Sequence, residues 1–481
     1  MTQRLRVHFV GIFGSGASGV AIAASKMGFD VSGCDMADDT PYAAQARAAE
    51  IPVAIGHDAQ HVADADLVAV SPALFAKSID NPEIDAARTA GKLTTWQRFL
   101  GEHILPGRRT IAICGTHGKT TTTAIVAHLL ICAGLDPTAF VGAIVPEWGG
   151  SNRIGESDWV ILEADEYANN FAPYHPQFII LNNLEMEHPE YFRDFEHYKQ
   201  TFRDFLNGAA PGAVLIYNAD DAGAVELATD FGGEKIPFSA ARTKISSTAD
   251  GQDFDGLVPR SLGEGGFHIN LLGTHNVSNA AAAIALARRL GVSDDKIRDC
   301  LGTFRGAGHR LEKIHDTGGV KIYDDYAHHH TQAARSIAAL RGSHPDDFLI
   351  VAYEPHQISR WTQNTAETLA VLAAADAAMI VEFWRGREAH LDVPDAVADI
   401  QKFGATHIQY IPNFDAAADA IAGLARKHAN TTILVMGAGK SYKLAALLKN
   451  KFPEFPSFGG VAPRGPRAIV DCVGWAGAGE G

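Results

Sequence analysis

From Thr110 the chain reads TIAIC, then Gly115-Thr116-His117-Gly118-Lys119-Thr120-Thr121, then the helical pattern TTAIVAHLLICAG. A strand that turns through glycines into a helix gathers backbone N–H groups and the positive end of the helix dipole at one point. Such a point suits phosphate. Lys119 adds a charge for β and γ oxygens, and Thr120 a hydroxyl for Mg²⁺. The usual phosphate loop has about four residues between its glycines. Here only Thr116 and His117 separate them, and Ile113 stands where the longer loop has its first glycine. A Gly/Thr-rich helix cap is the alternative, but it leaves the Gly-Lys-Thr run unexplained. Strand, loop, Lys-Thr and helix in that order predict ATP binding.

The same alternation of β-branched runs and Ala/Leu-rich helical patterns fills the chain and predicts an α/β protein with parallel sheets and crossover helices. The 481 residues exceed one ordinary core. Three blocks are visible: residues 1–108, closed by the Pro106-Gly107 turn; residues 109–313; and residues 314–455, with strands DFLIVAYE, AAMIVEF and TTILVMGAG. Residues 456–481 are Gly/Ala/Pro-rich without periodicity and read as a disordered tail. No apolar run approaches the roughly 18 residues of a membrane span. The start runs straight into a strand and does not read as a signal peptide. A net charge of −15 argues against non-specific nucleic-acid binding. The cysteines Cys34, Cys114, Cys132, Cys300 and Cys472 are scattered and odd in number, which suits a reducing cytosol.

The loop at Gly115 is the second of two in chain order; the first lies near the start. RVHFVGI leads into Gly14-Ser15-Gly16-Ala17-Ser18-Gly19 and the helix VAIAASKMG, and Asp35 ends the next strand. This arrangement suits a pyrophosphate at the helix start, with Gly14, Ser15, Gly16, Ser18, Asp35 and Ser71 as candidate contacts. A tight turn without a ligand is the alternative, and the pattern alone does not say which nucleotide binds.

The stretches HFVGIFGSGASG, GTHGKTTTT, EADE, GTHNVSNA, GHRLE, YDDYAHH and PHQISR occur in the order found in the Mur ligases. These are cytoplasmic ATP-dependent amide-bond ligases of peptidoglycan precursor synthesis. The chain resembles that family over about residues 5 to 450. The resemblance implies a Rossmann-like UDP-sugar domain, a central ATPase domain and a Rossmann-like C-terminal domain. The short spacing of the second loop is that family's form, and the first loop then holds a UDP-sugar pyrophosphate in place of NAD. The similarity is greatest to the branch that couples L-alanine to the lactyl carboxylate of UDP-N-acetylmuramate through an acyl phosphate. The relative that attaches a recycled L-Ala-γ-D-Glu-diaminopimelate tripeptide comes second. A folate-type glutamate ligase should lack the first glycine loop. A non-catalytic nucleotide-binding protein predicts no phosphate release. Expected partners are the small-molecule substrates, with no nucleic acid or membrane, for a monomer or homodimer.

The resemblance also assigns residues. Lys119, Glu163, His188, Arg310 and His329 are implied as catalytic, with Thr120, Glu163 and His188 as Mg²⁺ ligands. His275, Asn276, Asn279, Arg310 and Asp325 join the second loop around ATP, and His356 and Arg360 meet the amino-acid or sugar carboxylate. Asp165 and Glu166 stay open between structural and helper carboxylates. Lys199 reads as a solvated helix residue, not a modified metal bridge. Three adjacent histidines, His328 to His330, point different ways and do not form a ligand set. Lys440 lies on a glycine-rich turn that is either an anion site or a plain turn. Four departures from the family pattern bear on the amine substrate and on the support of His188: Glu187 for Asp, Pro189, His330-Thr331-Gln332 for Pro-Thr-Glu, and Gln357 for Arg.

Overall fold

The computed structural model describes residues 4–36, 40, 42–77, 81–188, 191–241, 243–255, 266–386, 388 and 390–453. Pro189 and the tail expected at 456–481 lie outside the described residues.

Three parallel-type sheets follow one another along the chain. The first has β1 (Arg6–Val10), β2 (Asp30–Asp35), β3 (Val53–Ile55), β4 (Leu67–Val70) and β5 (Leu93–Thr95), in the order β3-β2-β1-β4-β5. All its pairings are parallel. The order reverses beside β1, and the first glycine loop leaves β1 at that switch point, where doubly wound sheets bind ligands.

The second sheet contains β6 (Arg109–Cys114), β7 (Thr138–Val145), β8 (Gly150–Arg153), β9 (Trp159–Glu163), β10 (Phe178–Leu181), β11 (Val214–Asn218) and β12 (Glu234–Phe238). Its order is β12-β11-β10-β6-β9-β7-β8, with β8 the antiparallel edge. The small antiparallel sheet β13 (Lys244–Ser247), β14 (Gln252–Asp255) and β15 (Phe267–Ile269) adjoins it. The third sheet has β16 (Glu312–Thr317), β17 (Val320–Asp325), β18 (Phe348–Tyr353), β19 (Ala377–Ile380), β20 (Ile408–Tyr410) and β21 (Thr431–Met436). Its order is β16-β17-β21-β18-β19-β20, and only β16 runs antiparallel. This sheet starts at Glu312, just ahead of the division expected at residues 313 and 314.

Strands covered on both faces need apolar residues at every position, and the runs TIAIC and FLIVAY supply them. Along β6, Ile111 and Ile113 enter one core, whereas Ala112 and Cys114 enter the core on the opposite face. In β18, Val351 and Tyr353 face one core and Ile350 and Ala352 another. The first and second sheets share one core, in which Phe9 and Phe99 join Phe140, Phe171 and Phe202. That continuity fixes how the two glycine loops face each other.

One cysteine pairing is not announced by the sequence, and the expectation for Lys199 needs correction. Cys132 and Cys300 form a disulfide that joins the end of the helix Lys119–Cys132 to the helix Asp294–Leu301. They stand 168 residues apart, and sequence separation says nothing about which chain segments the fold brings together. Cys34 and Cys114 are free and buried. Lys199 is not solvated: it is buried, with its ammonium 2.7 Å from both Glu196 and Glu226. No described helix is long and apolar enough to cross a membrane.

Candidate active site between two glycine loops

The second loop is built around two glycines in the left-handed region, Gly115 (φ 122°) and Gly118 (φ 82°). A Cβ on Gly115 would lie 2.8 Å from the Asn183 carbonyl, and one on Gly118 would collide with the Asn279 side chain. Gly118 caps the helix Lys119–Cys132, whose first turn carries no acidic residue. Lys119 folds back on the loop and donates to the Gly115 carbonyl at 2.7 Å and to Glu166 at 2.9 Å. Burial pulls the ammonium pKa down, but Glu166, Asp165 and Glu163 together push it above its ordinary value, so Lys119 stays charged. Glu166 is fully buried and therefore structural as well as electrostatic.

Glu163 ends β9 beside the loop. Its carboxylate accepts from the Thr120 hydroxyl at 2.9 Å and from the Gly142 N–H at 3.0 Å. Arg310 reaches the same hydroxyl at 2.9 Å, and its guanidinium lies 4.7 Å from the centre of the Tyr326 ring. His188 has left-handed backbone (φ 57°) and lies against the Tyr167 ring at 4.9 Å. One donor atom each from Asp165, Glu166 and His188 lies within 4.8 Å of the others. The expected ligands Thr120 and Glu163 thus touch each other, whereas His188 sits with two other carboxylates.

Asn276 and Asn279 both line the cleft, bonded through the Asn279 amide at 3.0 Å, and Thr122 donates to Asn279 at 3.2 Å. His275 also lines it, and burial lowers its pKa to about 4. Asp325 is buried, accepts a short hydrogen bond from Ser336, and is pushed up by burial. His329 differs from expectation: it caps the helix His330–Ser343 and packs its ring 5.9 Å from that of His117, outside the cleft lining. Burial lowers its pKa to about 4. His328 Nδ1–H donates to the Tyr326 carbonyl and its ring faces His356, while His329 groups with His117 and Glu185. The three neighbouring histidines therefore take different partners, although the rings of His329 and His330 lie 4.2 Å apart.

Two of the departures form contacts between the second and third sheets' units. Glu187, after β10, pairs with Arg360 of the helix Ile358–Gln363 at 2.5 Å, and both are buried. Burial pushes the Glu187 carboxyl up, but Arg360, His328 and His188 outweigh it and hold it well below the usual range. Arg360 also meets His356 Nδ1 at 3.0 Å. Gln332 bonds His117 Nδ1 at 3.2 Å and closes the capping box with His329. Glu185 links His117 (2.7 Å) to Thr331 (2.8 Å), and the His117 bond first, then the Thr331 bond, lowers its pKa to about 2. On the Lys440 turn, the N–H groups of Gly439, Lys440 and Ser441 donate to Glu354. The anion held there is the protein's own.

Gly14, Ser15, Gly16 and Ser71 line a second cleft of about 530 Å³, beside the roughly 470 Å³ cleft of the phosphate loop. Trp96 closes over the first loop, where a Cβ on Gly16 would meet its ring at 2.5 Å. Ser18 and Asp35 do not line this cleft. Ser18 is buried with its hydroxyl on the Ser15 carbonyl at 3.3 Å, and Asp35 accepts the Phe13 N–H at 2.9 Å. The two clefts meet, and Thr120, Glu163, Asp165, His188, Arg310 and Tyr326 line both. Sequence reasoning did not single out Tyr326 or Arg335, which both line the phosphate-loop cleft, or Glu185 beside His117. Tyr326 stood inside the motif YDDYAHH, but nothing in the pattern marked it from its neighbours.

Comparison with known proteins decides the family. Residues 6–105 match the Mur ligase family catalytic domain, residues 113–287 the Mur ligase middle domain, and residues 309–439 the Mur ligase glutamate ligase domain. The UDP-N-acetylmuramate–L-alanine ligase of Burkholderia ambifaria is 32% identical over 448 residues, covering 90% of this chain and 95% of that protein. The chain belongs to the Mur ligase family. An Arthrobacter protein of the same name is 36% identical over 387 residues, covering 80% of this chain and 82% of its own. The crystal structure of the Thermotoga maritima UDP-N-acetylmuramate-alanine ligase superposes with a TM-score of 0.77 at 25% identity, covering 93% of this chain and 99% of that one. A murein peptide ligase from Psychrobacter arcticus shares the fold, with a TM-score of 0.67 at 24% identity over 93% of this chain and 98% of its own. The three-domain α/β architecture expected from the sequence is that of this Mur ligase.

Proposed function

We propose that this Mur ligase joins L-alanine to the lactyl carboxylate of UDP-N-acetylmuramate in the cytoplasm, using ATP and releasing ADP and phosphate. The observation that carries this reading is the junction of the two clefts at Thr120, Glu163 and Arg310. A carboxylate brought in by the first loop and a γ-phosphoryl group brought in by the second meet there. Joining an acid to an amine in water is uphill, so the acid is first phosphorylated and the amine then displaces phosphate. Lys119 and Arg310 bring positive charge to the transferring group, and the start of the helix Lys119–Cys132 cradles the phosphates.

The donors present fit Mg²⁺. Thr120 and Glu163 offer hard oxygens 2.9 Å apart, and Asp165 and Glu166 add carboxylates beside His188. When bound, the ion neutralises phosphate charge as two anions approach. Asn276, Asn279 and Asp325 are the proposed contacts to the nucleoside, with His275 kept neutral among them. Gly14, Ser15, Gly16 and Ser71 are the proposed pyrophosphate contacts, while Asp35 acts by holding the Phe13 N–H of the loop.

A second reading, transfer of a preformed tripeptide, is favoured by one observation. Gln332 and Gln357, both departures from the alanine-adding pattern, line the same cleft as His356 and Arg360. Phosphate release measured with UDP-N-acetylmuramate, MgATP and a panel of amines separates the two. L-Alanine as the preferred amine supports the first reading, preference for the tripeptide supports the second, and no release with any amine defeats both.

A further inference from the structure

The first domain holds a buried polar cluster that the proposed reaction does not use. His8 of β1, Cys34 of β2, His61 of the short turn Ala59–Val62 and Glu83 of the helix Pro82–Thr89 each bring a donor atom to within 4.8 Å of the others. Cys34 and Glu83 are wholly buried and His8 is 2% exposed. Residues two apart on a strand share a face, so His8 points with Val10, away from the helix Ser15–Lys26 that packs on Val7 and Phe9. The cluster therefore lies across the first sheet from the glycine-loop helix.

Hydrogen bonds account for most of it. Glu83 accepts from Cys34 Sγ at 2.9 Å and meets His57 Nδ1 at 2.7 Å and His61 Nδ1 at 2.6 Å. His8 Nδ1 meets Ser32 Oγ at 2.9 Å, but His8 Nε2 is buried with no partner. A buried ring nitrogen without a partner is costly, and a cation placed among the four donors supplies one. Two imidazoles, a thiol and a carboxylate suit a borderline-soft divalent ion; Mg²⁺ prefers an all-oxygen set.

We propose that His8, Cys34, His61 and Glu83 form a zinc site that ties β1 and β2 to the helix Pro82–Thr89. Zn²⁺ displaces the Cys34 thiol proton to solvent, leaving a thiolate ligand. His57, 3.4 Å from Cys34 Sγ and hydrogen-bonded to Glu83, orients those two ligands. Cys34 precedes Asp35, whose carboxylate holds the Phe13 N–H, so the ion steadies the loop that faces the second cleft.

The test is a Co²⁺ titration of the chelator-stripped full-length protein, followed by displacement with Zn²⁺. A near-ultraviolet sulfur-to-metal charge-transfer band should saturate at one equivalent and vanish with Zn²⁺. This signature separates the site from the carboxylate and histidine donors near the phosphate loop, which include no thiol. Cys34→Ser should abolish the band, His8→Gln and His61→Gln should weaken Co²⁺ binding by about tenfold or more, and Cys114→Ser should leave the band unchanged. Zn²⁺ should raise the Tm of the parent protein and not that of Cys34→Ser. Absence of the band in the folded parent protein would overturn the proposal, as would an equal band in Cys34→Ser. The parent titration decides the matter even where a variant fails to fold.

Discussion

Lys119, partly exposed at the loop, and the fully buried Glu166 form a pair in which each makes the other tolerable. Lys119→Ala should abolish phosphate release while UDP-sugar binding, measured by calorimetry, survives. The same change strands a buried carboxylate and should cost about 3–5 kcal/mol of stability in denaturant unfolding. Adding Glu166→Gln should restore much of that stability but none of the activity, which separates the two roles of the lysine. Arg360→Ala should cost a similar amount, about 3–5 kcal/mol, because it leaves Glu187 buried and unpaired. Histidines set the pH response. His275 and His329 titrate near pH 4 in the folded chain and near 6.5 when unfolded. Between those values the unfolded chain binds more protons, so stability falls on acidification by about 1.4 kcal/mol per pH unit for each. Below about pH 4.5 the Glu187 contribution, held by a lowered carboxyl pKa, begins to fall as well and is lost progressively as the pH drops further. Thermal melts from pH 7 to 4 should show this decline; a flat profile would contradict it. At this scale the sequence showed which residues could do chemistry, and not which were already engaged. Asp35 and Ser18 read as ligand contacts, yet one holds a loop amide and the other its own helix turn.

The elements were the most legible part of the chain. Strand-to-glycine-to-helix transitions are encoded within a dozen residues by local sterics and backbone hydrogen bonding, so both loops stand where the sequence placed them. Short-range patterning carries no such record of contacts between distant elements. The disulfide between the helices Lys119–Cys132 and Asp294–Leu301 and the Glu354 carboxylate under the Lys440 turn are long-range events. Cys132→Ser with Cys300→Ser should lower the unfolding free energy by about 2–4 kcal/mol relative to the oxidised parent. Equal stabilities would show that the bond contributes nothing in solution.

On the scale of the whole molecule, the sequence implied two nucleotide loops but not that their clefts share a wall. That follows from the common core of the first two sheets and from Arg310 and Tyr326, carried in just ahead of and within the third. Contacts such as Glu187–Arg360 and Gln332–His117 hold the third unit over the junction. The most direct check uses UDP-N-acetylmuramate with ¹⁸O in its lactyl carboxylate, turned over with MgATP and L-alanine. One carboxylate oxygen should leave in the released phosphate, because the acyl phosphate breaks at the carbonyl carbon. Phosphate free of label, or released at the same rate without the sugar nucleotide, would contradict transfer between the two clefts.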